Sequence, residues 1–185
     1  LQLIVVLDEA YCEYLTGDQY PDGVELLARF PNLIVCRTFS KAWGLAALRV
    51  GYSISSPAIA DILNRVRQPF NVDTVALSAA TAVLEDEDYL QRSRDVNTAG
   101  LRQLQEAFDR MGLSYIPSAG NFVAVEVGEQ AMGVYQSLLA HGVIVRPIGG
   151  YGMPRHLRVS VGLQEENERF IDALAQALAA SGLSD

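Results

Sequence analysis

The sequence predicts an α/β fold, and three observations carry that prediction. Leu3-Ile-Val-Val-Leu7 and Leu33-Ile-Val-Cys36 are short, continuously apolar and rich in β-branched residues, the pattern of buried strands. A helix-forming stretch lies between them, so strand, helix and strand fit within about 35 residues, the spacing of a unit with a parallel strand pair. Beyond Phe122, strand-like and helix-like segments alternate again. Of the 185 residues 50% are apolar and 19% charged, which supplies a core and excludes wholesale disorder.

The first strand opens at Leu1 without an initiator methionine and reads as covered on both faces. A domain seldom begins with its most buried type of strand, so the chain reads as a piece of something longer, with an exposed sheet edge that favours self-association. The run ends at Asp8-Glu9, which puts carboxylates at the strand's carboxyl end. Gly23 to Arg29 reads as a short helix stopped by Pro31-Asn32. The second strand leads into Arg37-Thr-Phe-Ser-Lys41, and Arg49 to Ile54 reads as a third. In sheets of this kind, ligands bind beyond the carboxyl ends of the strands.

Pro57 opens a helix with Ile59, Ile62, Leu63 and Val66 on one face, and Pro69 ends it. Thr74 to Gly112 is almost entirely helix-forming, with an acidic break at Glu85-Asp-Glu-Asp88 and an apolar stripe of Leu101, Leu104, Phe108 and Met111. A helix that long usually crosses between domains, which sets two domains, 1–85 and 86–185. Phe122 to Val127 and Leu157 to Val161 read as strands. Val134, Tyr135, Leu138 and Leu139 line one further helix, and Phe170, Ile171, Leu174 and Leu178 another. The period of two in Leu157-Arg-Val-Ser-Val161 puts Arg158 and Ser160 on the face opposite the apolar residues.

Fourteen basic against 22 acidic residues give a net charge of −8, which argues against nucleic acid or an anionic membrane as a partner. Cys12 and Cys36 have neither metal-type spacing nor a disulfide framework and read as reduced, half-buried thiols. No apolar run approaches the ~20 residues that span a bilayer, and the first run lacks the basic leader of a signal peptide. A cytoplasmic protein is expected. His141 and His156 lack metal-ligand spacing and read as surface or interface residues; no metal is expected.

Three clusters could carry chemistry. Asp8-Glu-Ala-Tyr11 follows a buried strand. An apolar strand ending in Asp-Glu would also suit a P-loop nucleotidase, but the Gly-x-x-x-x-Gly-Lys-Ser/Thr loop which that chemistry needs is absent from these residues. In Thr38-Phe-Ser-Lys-Ala-Trp-Gly-Leu45, Lys41 sits just past a strand, where it has no obvious packing purpose. A lysine in a low-dielectric site can form a Schiff base with a carbonyl cofactor. Thr38, Ser40 and Arg49 are the donors a phosphate dianion requires. Arg146 and Arg158 adjoin strand-like residues outside any charge run and suit an anion clamp. Gly149-Gly-Tyr-Gly152 reads as a flexible active-site or connecting loop.

Asp8-Glu-Ala-Tyr11, Thr38-Phe-Ser-Lys-Ala-Trp-Gly-Leu-Ala-Ala-Leu-Arg-Val-Gly51, Asn121-Phe-Val, Val145-Arg-Pro147 and Tyr151-Gly-Met-Pro-Arg-His-Leu-Arg-Val-Ser160 together resemble the histidinol-phosphate aminotransferases, fold-type-I enzymes that depend on pyridoxal phosphate. The resemblance covers nearly the whole chain and implies the end of a large, mostly parallel-sheet cofactor domain followed by a small α+β domain. It implies that Lys41 holds the cofactor covalently and moves the substrate proton, that Asp8 pairs with the ring nitrogen, and that Tyr11 binds the phenolic oxygen. Thr38, Ser40 and Arg49 would hold the cofactor phosphate, and Arg158 and Arg146 the acidic groups of two substrates, histidinol phosphate and glutamate. A cytoplasmic homodimer acting in histidine biosynthesis on small phosphorylated amines is implied. Aromatic aminotransferases and threonine-phosphate decarboxylases share these motifs, so the substrate stays open at this point. Ala47 stands where the family usually has glycine. The resemblance further implies that an N-terminal half supplies a phosphate loop, a ring-stacking aromatic and an asparagine, so a catalytically incomplete fragment is the remaining alternative.

Overall fold

Pairing of β1 (Val5–Asp8) with β2 (Leu33–Thr38) is parallel, Val5 opposite Leu33 and Asp8 opposite Cys36. β3 (Gly51–Ser55) runs antiparallel on the other side of β2, with Thr38 opposite Gly51. The sheet order is therefore β1-β2-β3, with β2 central. This computed structural model describes residues 3–15 and 20–180. Leu1 and Gln2, expected to open the first strand, lie outside the described residues. The chain divides into two units, one up to Arg94 and one from Asp95 onward.

In the first unit, α1 (Gly23–Leu26) is started by Asp22, whose side chain accepts the Val24 N–H, the usual service of an aspartate at a helix start. α2 (Pro57–Val66) and α3 (Thr74–Val83) follow β3, and Asp73 caps α3 by accepting from the Ala76 N–H. The small residues Ala76 and Ala80 let α3 approach Phe39 and Val50, forming the buried cluster on which Trp43, Leu45 and Leu48 rest.

The expectation of full coverage for the first strand fails. Leu3, Ile4, Val5 and Val6 are between 48% and 68% exposed. The physical reason is the lack of covering layers: Leu3 to Val6 belong to neither buried cluster, and β1 is also an edge strand, paired only with β2 among the described residues. The expected stripe on α2 is likewise open, with Ile62, Leu63 and Val66 exposed, and Phe70 beyond it is 96% exposed with a left-handed φ of 54°.

The second unit begins within α4 (Glu87–Arg110), which starts inside the acidic break, with Glu87 and Asp88 in its first turn, where negative charge favours a helix start. β4 (Tyr115–Ile116), β5 (Phe122–Glu126), β6 (Arg146–Pro147) and β7 (His156–Ser160) form an antiparallel sheet in the order β4-β5-β7-β6. Val123 faces Val159 and Val125 faces Leu157 across the ladder, so both pairs turn to one side. There they meet Leu104 and Phe108 of α4, Val134 and Leu138 of α5 (Ala131–Ala140), and Phe170 and Leu174 of α6 (Gln164–Ala180). Phe108 stands edge-on to Phe170 at 6.2 Å between ring centres. The alternate residues Phe122, Ala124, Glu126, His156, Arg158 and Ser160 are left on the other face.

Two outcomes are expected. Phe108→Ala removes a fully buried ring and should cost about 3–5 kcal/mol in urea unfolding. The apolar edge of β1 should drive concentration-dependent association in sedimentation velocity, and Val6→Lys should reduce it; a chain that stays monomeric at high concentration would refute edge pairing.

Candidate active site

Because β1 and β2 are parallel, their carboxyl ends lie at one edge of the sheet, and antiparallel β3 begins there. Asp8 is the last residue of β1, Thr38 the last of β2, and Ser40 and Lys41 follow at once. Arg49 lies two residues before β3. The sheet-end candidates from the sequence, Asp8, Tyr11, Thr38, Ser40, Lys41 and Arg49, thus belong to one edge of the first unit.

Local bonds fix this edge. Asp8 Oδ1 accepts from the Ala10 N–H at 3.0 Å, turning the chain toward Tyr11. Lys41 Nζ lies 5.3 Å from the centre of the Tyr11 ring, within cation–π reach, and among the described residues it pairs with no carboxylate. Thr38 Oγ1 accepts from the Ser40 N–H at 3.1 Å, and a side chain at Gly51 would meet the Arg37 carbonyl oxygen at 2.8 Å, so only glycine permits that approach. Arg49 adopts the left-handed conformation, φ 53° and ψ 43°, which costs a non-glycine residue about 1–2 kcal/mol. Its Nη1 donates to the Ala46 carbonyl at 2.7 Å. A strained residue held this way is the kind of feature that clusters at ligand sites.

Several residues that the sequence did not single out brace the edge. Glu9 accepts from the Gly23 N–H at 2.8 Å and from Arg37 Nε at 2.9 Å, while Arg37 Nη2 also pairs with Asp22 at 2.5 Å. Burial pulls the Arg37 guanidinium down, but the bonds to Glu9 and its acidic neighbours hold it above its ordinary value. Glu13 is buried and accepts from Trp43 Nε1 at 3.1 Å, and its carbonyl accepts from Arg94 Nε at 2.5 Å. Its Oε2 has no hydrogen-bond partner among the described residues. Since Glu13 follows Tyr11 and Trp43 follows Lys41 by two residues each, this bond ties the two site segments together. A carboxylate inside the aromatic run Tyr11-Cys-Glu-Tyr14 was the available signal.

Cys12 and Cys36 are both free and half-buried, as expected. Burial pushes the Cys12 thiol up to about 12, with the charge of Glu13 adding to the effect.

Arg146 and Arg158 lie in the second unit. They are direct partners across the β6–β7 ladder, so two cations face each other where like charge costs about 0.2–1 kcal/mol. Neither makes an ion pair with a carboxylate among the described residues. Arg158 lies 4.6 Å over the Phe122 ring, and Arg146 donates to the Tyr151 hydroxyl at 3.2 Å. Tyr151 closes a single 3-10 turn, Gly149–Tyr151, in the loop the sequence marked as flexible. His141 is exposed, with Nδ1 2.7 Å from the Ser137 carbonyl. His156 is half-buried on the Arg158 face, and its Nδ1 has no hydrogen-bond partner among the described residues.

Residues 1–174 match the sequence model described as Aminotransferase class I and II. The chain belongs to that family. This aminotransferase-family chain is 62% identical, over 96% of its own length, to histidinol-phosphate aminotransferase 2 of Pseudomonas aeruginosa, and 58% identical over 95% to histidinol-phosphate aminotransferase 1 of Nitrosococcus oceani. It covers 48% of each, and so spans about half the length of these curated relatives. Among solved structures, histidinol-phosphate aminotransferase from Sinorhizobium meliloti in complex with pyridoxal-5'-phosphate superposes with a TM-score of 0.88 at 35% identity, over 96% of this chain and 49% of that one. The α/β class read from the sequence is therefore that of the aminotransferases. No helix among the described residues is long and apolar enough to cross a membrane.

The raised Cys12 thiol makes a testable claim about alkaline stability. An unfolded thiol ionises near its ordinary 9.0, whereas the folded one resists until about 12, so the contribution is full below about 9 and lost as pH rises toward 12. At mildly alkaline pH, iodoacetamide should label Cys12 far more slowly in the native chain than in urea, and Cys12→Ala should flatten the alkaline loss of stability. Equal labelling rates in the two states would contradict the burial argument.

Proposed function

We propose that this chain is the carboxyl-terminal half of a pyridoxal-phosphate-dependent aminotransferase that moves an amino group between histidinol phosphate and 2-oxoglutarate in histidine biosynthesis. In this reading the region before the long α4 crossing is the end of a cofactor domain and the region after it a small substrate-binding domain. The observation that carries the reading is Lys41, set just past a parallel strand, beside Tyr11 and unpaired with any described carboxylate. The identity to histidinol-phosphate aminotransferases supports the choice of substrate. A cytoplasmic location and homodimerisation of the whole protein are parts of the same proposal.

The donor set suits the cofactor: an amine, a carboxylate, a phenol, two hydroxyls and a guanidinium occur at one sheet edge, and Arg49 is held in a strained conformation there. When bound, pyridoxal phosphate supplies a carbonyl carbon that amines attack and a ring that withdraws electrons from the substrate carbon. Asp8 would keep a proton on the ring nitrogen. Tyr11 would donate its hydroxyl to the phenolic oxygen. Thr38, Ser40 and Arg49 would bind the phosphate through charge-assisted bonds. Lys41 Nζ would hold the cofactor and, once freed by substrate amine, take a proton from the substrate carbon and return it one position away. Arg158 and Arg146 would bind the phosphate of one substrate and the carboxylate of the other.

The test uses the whole protein, with the half preceding this chain restored. It should aminate imidazole-acetol phosphate from glutamate, and Lys41→Ala should lose both turnover and the visible band of covalently bound cofactor. Arg158→Gln should weaken phosphorylated substrate about ten- to hundredfold, the loss expected for a charged hydrogen bond. Turnover of aromatic or phosphothreonine substrates without imidazole-acetol phosphate would move the assignment to another member of the fold.

A further inference from the structure

Arg146 and Arg158 are held without being discharged. The contrast is next to them: Arg155 pairs with Glu126 at 3.0 Å and Glu129 at 3.5 Å. Glu126, opposite His156 on β7, is the carboxylate nearest in register to Arg158 on this sheet face, and Arg155 already engages it. Arg158 instead rests on the Phe122 ring, 4.6 Å from its centre. Arg146 lies 5.7 Å from the centre of the Tyr151 ring while donating to the same residue's hydroxyl at 3.2 Å. A π face and a neutral phenol oxygen orient a guanidinium without cancelling its charge, which a carboxylate would do. The alternative for an arginine pair in mutual repulsion is to splay apart into water, and the two aromatic contacts oppose that.

We propose that Phe122 and Tyr151 are positioning residues of the anion site: they hold Arg146 and Arg158 in register as a doubly positive clamp for a phosphate monoester. The inference rests on the anion-binding role given to the two arginines above. Tyr151 is the more telling member, because it is 68% exposed and its replacement does not threaten the core.

Titration of this chain with inorganic phosphate at mildly alkaline pH, followed through the arginine Nε–H resonances in heteronuclear NMR, separates the possibilities. The resonances of Arg146 and Arg158 should move together with one dissociation constant, and those of Arg49 report any binding at the other site. Tyr151→Phe keeps the ring but loses the oxygen and should weaken binding about two- to fivefold, the worth of one neutral hydrogen bond. Tyr151→Glu offers Arg146 a stronger acceptor, so a merely structural role would be preserved; the proposal instead requires a loss of about tenfold or more, because the clamp is half neutralised. Equal affinity in all three chains would overturn the positioning role and leave the anion site standing. Absence of any phosphate-dependent shift at Arg146 and Arg158 in the unaltered chain would remove the anion site and this inference with it.

Discussion

Asp8 faces Cys36 across the β1–β2 ladder because those strands run parallel, and from that pairing the rest of the first unit takes its places. Parallel strands end at the same edge, so the carboxylate finishing one and the hydroxyl finishing the other are neighbours by construction. β3 returns antiparallel from that edge, which brings Arg49 to it as well. Slipping the register by one residue would turn Asp8 to the opposite face and separate it from the Lys41 loop. The site's composition is thus a consequence of strand direction, and the side-chain bonds at Glu9, Glu13 and Arg37 only stiffen what the ladder has set.

In the second unit the governing tension is electrostatic. An antiparallel ladder puts Arg146 directly opposite Arg158, a placement that works against folding when nothing intervenes. The unit tolerates it because the core lies on the other face of the sheet, with Val123, Val125, Leu157 and Val159 packed among α4, α5 and α6. Burial there outweighs a repulsion of under about 1 kcal/mol. Under the proposed clamp role an arriving anion would relieve that repulsion, so charge that costs stability in the fold would favour binding.

What was legible in the sequence follows the range of the interactions. Lys41, Thr38, Ser40 and Arg49 are close in the chain, and a strand followed by small polar residues announces them. The stripe Leu101, Leu104, Phe108 and Met111 is likewise local, set by helical period. The Glu13–Trp43 bond joins residues 30 apart, and no periodicity marks it. Tyr151 lies close to Arg146 in sequence, but its hydrogen bond depends on a 3-10 turn that three glycines did not make predictable. The first strand shows the other limit. A continuously apolar run reports that a strand can be covered on both faces, whereas burial depends on what stands beside it.

That limit has a consequence for the site. In the first unit β1, α2, Phe70 and the outer side of α3, at Val75 and Leu77, carry open apolar surface, while the Lys41 loop rests on Phe39, Ala42 and Val50, all buried, and on the Trp43–Glu13 bond. The supports of Lys41 are therefore contacts this chain makes with itself, in the part of the first unit that is already packed. Covering β1 and α2 would lower the dielectric around Asp8 and strengthen its electrostatics, but the distance from Lys41 to Tyr11 is set by packing that needs no such cover. The placing of Lys41 beside Tyr11 and the covering of the apolar surface are separate problems in this fold: local packing solves the first, and additional protein surface is needed for the second.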